Sequence, residues 1–224
     1  MKYTLIPQKP NESGNAIWFV LLVIVLLAAL TITVTRSSDT TEQSGDIEQY
    51  RIQASRIMNA AHDLERAIDQ MRMRGISESD LCFHDSGWGH TDYNSADCSN
   101  AENVIYSVAG GGLTFSALPN VIGWDIAGSH AVQDVESSAN DLILQAQVKK
   151  GLCLQMNKML GIANPSGDAP VDDASPVARF AGSYASAAAD NLIGNAAAGL
   201  AGQKSGCRKD AAGDYYFYHV LIAR

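Results

Sequence analysis

Hydrophobic and polar positions follow three regimes along this chain. Residues 15–35, NAIWFVLLVIVLLAALTITVT, carry no charge and leave no polar face, which predicts a helix with apolar side chains in every direction. At about 1.5 Å per residue the run is just long enough for a hydrocarbon core of roughly 30 Å, so a membrane-spanning helix is expected. Residues 36–45, RSSDTTEQSG, are a polar interruption that reads as a bend, a melted stretch or the solvated exit of the helix. From Asp46, the apolar positions Ile47, Tyr50, Ala54, Ile57, Ala61, Leu64, Ile68 and Met71 recur every three or four residues. Glu48, Arg51, Arg56, Glu65, Arg66, Asp69 and Arg72 fall between them, which predicts an amphipathic helix over 46–75. Asp46 or Ser44 can cap its start and Gly75 can stop it. Its apolar stripe is too short and too irregular for a coiled-coil seam, so packing onto the protein's own head is expected.

The third regime, residues 76–224, reads as one globular head. Residues 104–108 and 113–117 are short strand-like runs separated by Ala109-Gly110-Gly111-Gly112, a hairpin pattern. Residues 121–126 suggest a third strand, and 141–160 either a strand running into a helix or one continuous helix. The terminal run YYFYHVLI, 215–222, is the strongest strand signal and is expected in the core sheet. Between these, residues 163–206 are rich in Ala, Gly, Ser, Asp and Pro. Residues 164–176 read as loop and 185–201 as a weak helix broken at Gly194 and Gly199. That region reads either as a surface for close approach of neighbouring subunits or as mobile padding.

Charge and cysteines place the head. The net charge is −8 and becomes −9 if Lys2, Lys9 and Glu12 are removed with residues 1–14, so nucleic acid is not an expected partner. Lys2 and Lys9 precede the apolar run, while Asp39, Glu42 and Asp46 follow Arg36. That bias puts the N-terminus in the cytoplasm and the head outside. Cys82, Cys98, Cys153 and Cys207 all follow the run, none in a C-x-x-C pair, which fits disulfides in an oxidising space. Of three possible pairings, the sequence-local one, Cys82 with Cys98 and Cys153 with Cys207, is expected.

Residues 1–14 bear on processing. Residues 36–39 offer no small-residue exit site, so removal after the apolar run is disfavoured. Before it, a short leader with Lys2 and Lys9 ends at Ser13-Gly14, directly ahead of Asn15. This arrangement resembles the class III leader of type IV pilins and type II secretion pseudopilins, in which a prepilin peptidase cuts after a glycine. The resemblance implies cleavage between Gly14 and Asn15, a helix retained in the mature subunit, and like or related pilin subunits as partners of that helix. It also implies residence in the inner membrane until assembly. Phe19 stands at the fifth mature position, where most members carry glutamate, and Asn15 at the first, where Phe or Met is usual. The departures point to a minor or specialised subunit. The segment closed by Cys153 and Cys207 resembles the disulfide-bounded segment of pilins.

Candidate chemistry is sparse. The densest polar cluster holds His84, Asp85, His90, Asp92 and Asp97, with Trp88 and Tyr93 among them. These are weak metal candidates, since neither H-E-x-x-H nor a calcium loop is present; without a metal they form a polar, disulfide-stapled loop. No G-x-S-x-G occurs, and the glycine spacing at 194–199 lacks the Lys and Ser or Thr of a phosphate loop. His219 reads as a core histidine, and Asp172-Asp173 as solvated. No catalytic residue, metal or cofactor is assigned, and the chain is not expected to be an enzyme. The expectation is an α+β protein comprising leader 1–14, transmembrane helix 15–35, polar interruption 36–45, amphipathic stem 46–75 and extracytoplasmic head 76–224. Its long helix would pack on a small antiparallel sheet in a disulfide-stapled head. The function implied is a pilin-like or pseudopilin-like structural subunit; the alternative is a bitopic, signal-anchored envelope protein with a ligand-binding or sensing head.

Overall fold

A computed structural model describes residues 15–84, 98–114, 118, 120–172, 174, 179–184 and 191–224, with the backbone alone at 15, 16, 30 and 32–45. The chain divides into two compact units, Met1–Asp46 and Ile47–Arg224. Helix α1 is assigned over Asn15–Met73. In the second unit follow strand β1 (Val121–Val132), strand β2 (Asp141–Val148), helix α2 (Lys150–Leu160), the short strand β3 (Leu192–Ile193), and strands β4 (Ser205–Lys209) and β5 (Tyr215–Ile222).

The stem stripe packs as its spacing predicts. Ala54, Ile57, Ala61, Leu64, Ile68 and Met71 are all buried, while Ile47 at the edge of the stripe stays half-exposed. They share one core with Trp124 and Ile126 of β1, Leu142, Leu144 and Ala146 of β2, Leu152 and Met156 of α2, and Phe217 and Leu221 of β5. The helix stops where Gly75 takes φ +94°. The Gly75 N–H donates to the Arg72 carbonyl (2.9 Å) and the Ile76 N–H to the Met71 carbonyl (3.2 Å), the paired bonds of a Schellman cap.

The α+β class holds, but two parts of the expected architecture are overturned. Among the described residues no helix is long and apolar enough to cross a membrane. The backbone is helical through the polar residues 36–45. The sheet is also not a small antiparallel one. Five strands lie in the order β3-β1-β2-β5-β4, forming a mixed half-barrel in which β3 runs parallel to β1 while the other pairs are antiparallel.

The central strands of this sheet lack the alternation of a sheet with one wet face. Odd and even positions of β2 and β5 are both buried, so both faces need cover. One face meets α1 and α2. The other carries Ile143, Tyr218 and Val220, which cluster with Val132, Val135, Ile162, Ala174, Ile193, Ala197 and Leu200. Part of the small-residue region is thus core, through Ala174, Ile193, Ala197 and Leu200, while Asn195, Ala196, Ala198 and Gly199 between them stay exposed. These buried residues are the second layer of the core, and β3 is the point where that layer joins the sheet.

One local expectation also fails. The hairpin over 104–117 does not form among the described residues. The Gly110 N–H bonds back to the Ser107 carbonyl and the Gly111 N–H to that of Val104, and a Cβ at Gly110 would collide with the Val104 carbonyl. The glycines make a compact turn rather than a hairpin loop, and residues 115–117 lie outside the described residues. Of the two readings of residues 141–160, the strand running into a helix is the one that forms.

Both expected disulfides are present, Cys82–Cys98 and Cys153–Cys207. The first ties the end of the stem connection to residue 98; the second ties α2 to β4. Loop-closure entropy makes the longer bridge the more stabilising one. For separations of 16 and 54 residues the chain-entropy relation gives about 3 and about 4 kcal/mol. In urea unfolding of the full chain in detergent, the Cys153→Ala/Cys207→Ala variant should therefore lose more stability than Cys82→Ala/Cys98→Ala. Equal or reversed losses would mean that native packing, and not closure of the unfolded chain, sets the contribution of each bridge.

Candidate functional site

The sequence candidates distribute as follows. Gly14 lies outside the described residues, and Asn15 is the first residue of α1. Of the polar cluster, only His84 is described. It is partly buried, and its backbone N–H approaches Cys82 Sγ at 3.4 Å. Asp85, His90, Asp92 and Asp97 lie outside the described residues, as does Asp173. Asp172 is not solvated as expected but 1% exposed. Its carboxylate accepts the Gly194 N–H (2.9 Å) and the Ala174 N–H (3.4 Å), pinning the second layer in place.

Beside Asp172 lies a buried cation. Arg208 of β4 is fully buried; it donates through Nη1 to the Asp172 carbonyl (2.8 Å) and through Nη2 to Gln145 Oε1 (3.4 Å). Its guanidinium lies 5.2 Å from the Tyr216 ring centroid. Burial lowers its pKa, opposed first by the nearby Asp172 carboxylate. Nε has no hydrogen-bond partner among the described residues. With its charge enclosed beneath the second layer, this group is a packing hub and does not face an opening.

The one described cluster of potential metal-ligating side chains is different in kind. It joins His62 and Glu65 of α1 to His219 of β5, with one potential ligand atom of each within 4.8 Å of the others. Residues three apart on a helix are neighbours, so His62 and Glu65 share a face, with His62 Nδ1 3.3 Å from Glu65 Oε2. His219 Nε2 lies 3.0 Å from the same oxygen. The two imidazoles meet edge-on with centroids 4.7 Å apart. On the far side of His219, its cross-strand partner Ser205 places Oγ 2.6 Å from Nδ1. Ser205 can donate to Nδ1 while Nε2–H donates to Glu65, which satisfies both nitrogens of a neutral ring.

Exposure is graded across the cluster. His219 is 2% exposed, the Glu65 side chain 26% and the His62 side chain 55%. Burial is the largest influence on His219 and holds its pKa below the ordinary value. The Glu65 carboxylate opposes that shift, whereas His62 and Lys204 reinforce it. Such an arrangement can hold a proton between imidazole and carboxylate, or present two nitrogens and an oxygen to a cation. By sequence, Glu65 falls on the polar face of the stem helix and His219 within an apolar strand, where a core histidine is expected. The H-x-x-E spacing of His62 and Glu65 was a legible signal. Their meeting with His219, 154 residues beyond Glu65, was not.

Because the folded His219 ring takes up its proton at lower pH than an unfolded one, near 6.5, the stability it contributes is present above about pH 6.5 and is lost as pH falls through the folded midpoint. NMR titration of the His219 ring should give a midpoint below 6.5, and a midpoint above it would show that the Glu65 charge outweighs burial. No protein-family model, curated protein or solved structure matches this chain.

Proposed function

We propose that this chain is a structural subunit of a pilin-like or pseudopilin-like filament, minor or specialised in rank, and not an enzyme. The observation that carries the reading is the unbroken run of exposed apolar side chains from Ile17 to Leu27, each 43% to 70% exposed. Consecutive residues on a helix point in all directions, so this surface has no polar side to turn to water. An apolar patch of that extent marks a surface that is covered by something else. Close packing of like helices supplies such cover, and the Gly14–Asn15 junction supplies the matching processing site. The two disulfides support a head that matures in an oxidising, extracytoplasmic space. In this reading a prepilin peptidase is the processing partner, and the subunit is held at the inner membrane of the cell envelope before assembly.

Processing gives the first test. In cells with an active prepilin peptidase, intact mass should show a mature chain beginning at Asn15, and Gly14→Ala should block its formation. A chain that keeps Met1 beside active peptidase removes the leader from the reading.

Packing gives the second. Ala28 and Ala29 are small, exposed positions that continue the apolar run. Association of helices in an apolar medium depends on close approach, so widening the helix with Ala28→Leu/Ala29→Leu should cut incorporation into a shearable filament about tenfold or more while membrane fractionation is unchanged. Assembly equal to the parent's, or a parent that never leaves the monomer pool, would favour an envelope protein with a ligand-binding head.

A further inference from the structure

We propose that His62, Glu65 and His219 form a binding site for a zinc-class divalent cation in the head, with one coordination position left open. All three residues belong to the unit Ile47–Arg224, so the inference stands apart from the assembly reading.

The geometry carries it. Ligand atoms about 2.0–2.2 Å from a tetrahedral zinc lie about 3.3–3.6 Å from one another. Two edges of the cluster are within a few tenths of an ångström of that length, Glu65 Oε2 to His219 Nε2 at 3.0 Å and Glu65 Oε2 to His62 Nδ1 at 3.3 Å. All three ligand atoms lie within 4.8 Å of one another, and His62, which is more than half exposed, has the freedom to close the remaining edge. The ligands come from two elements that pack together for independent reasons, α1 through its apolar stripe and β5 through the sheet.

The surroundings match the chemistry of the donor set. Two imidazoles and a carboxylate suit zinc and its first-row neighbours, whereas calcium and magnesium prefer oxygen. A ligating histidine needs its second nitrogen held, and Ser205 Oγ sits 2.6 Å from Nδ1 of His219. On binding, the single ring proton of His219 shifts from Nε2 to Nδ1 by exchange through solvent, the Nε2 lone pair goes to the ion, and Nδ1–H then donates to Ser205 Oγ. Burial of His219 favours the neutral ring that a metal requires. With three protein ligands the ion keeps one position for water or for a donor from outside, as open zinc sites do.

The test uses the full, untagged chain in detergent, titrated with zinc chloride by calorimetry and with cobalt(II) by visible absorption. One zinc per chain is expected, together with the intense visible bands of four-coordinate cobalt and no response to calcium or magnesium. His62→Ala and Glu65→Gln should each weaken zinc binding at least tenfold while leaving the zinc-free melting temperature near the parent's. His84→Gln should leave binding unchanged. Zinc binding that survives both cluster variants, that is lost with His84→Gln, or that is absent from the parent overturns the site. If Glu65→Gln proves to unfold the head, His62→Ala alone decides, because its exposed ring is not part of the core.

Discussion

The head depends on one constraint: its two central strands, β2 and β5, are buried on both faces and must be covered twice. On one side the cover is the stem helix, whose Ile57, Leu64, Ile68 and Met71 are each at most 2% exposed. Burying a side chain of that size contributes roughly 1.5–3 kcal/mol before conformational entropy is subtracted. Ala54 and Ala61, set between the larger residues, let the helix approach the sheet. Helix α2 extends the same layer, and Cys153–Cys207 fastens it to β4. On the other side the cover comes from segments with little regular structure. Such segments can serve because Ala174, Ala197, Ile193 and Leu200 are held there by backbone bonds to the buried Asp172 carboxylate and by the parallel pairing of β3 with β1.

A sheet enclosed on both sides leaves few places for polar groups, and Arg208 and His219 hold most, though not all, of their polar atoms against partners in dry surroundings. Arg208 rests against Tyr216, Gln145 and the Asp172 carbonyl beneath the second layer. His219 emerges on the opposite face, where the stem turns Glu65 and His62 toward it. The difference in chemistry follows from position. Arg208 is enclosed, while the histidine cluster opens to solvent through His62, so only the second can exchange a proton or a ligand with the outside.

The two units then differ in self-sufficiency. The head has its own core, its own staples and a helix terminated by a complete cap. The apolar run from Ile17 to Leu27 has no such cover, and its exposure is what links the fold to a proposed assembly function. Small side chains at Ala28 and Ala29 and branched or aromatic ones before them make a surface on which packing, as well as hydrophobicity, can be selected.

By itself the sequence determined what rests on local periodicity and covalent spacing. The stem stripe from Ala54 to Met71, its stop at Gly75, the strand at 215–222 and the local disulfide pairing were all legible, because each is settled by residues within one element or by closure of one short region. Tertiary structure alone decided the rest. Ser205–Lys209, SGCRK, has no strand pattern of its own and becomes β4 because β5 offers it a ladder. The glycines at 110–112 carried a hairpin signal but pack back on the carbonyls of Val104 and Ser107. Asp172 looked solvated and is buried, since only the folded chain brings the Gly194 and Ala174 amides to it. Glu65 lay on the polar side of a helical wheel, yet it meets His219 because the stem lies across the sheet at that height. A pair separated by 154 residues leaves no periodic trace in sequence, and its contact energy exists only after the helix and the sheet have packed.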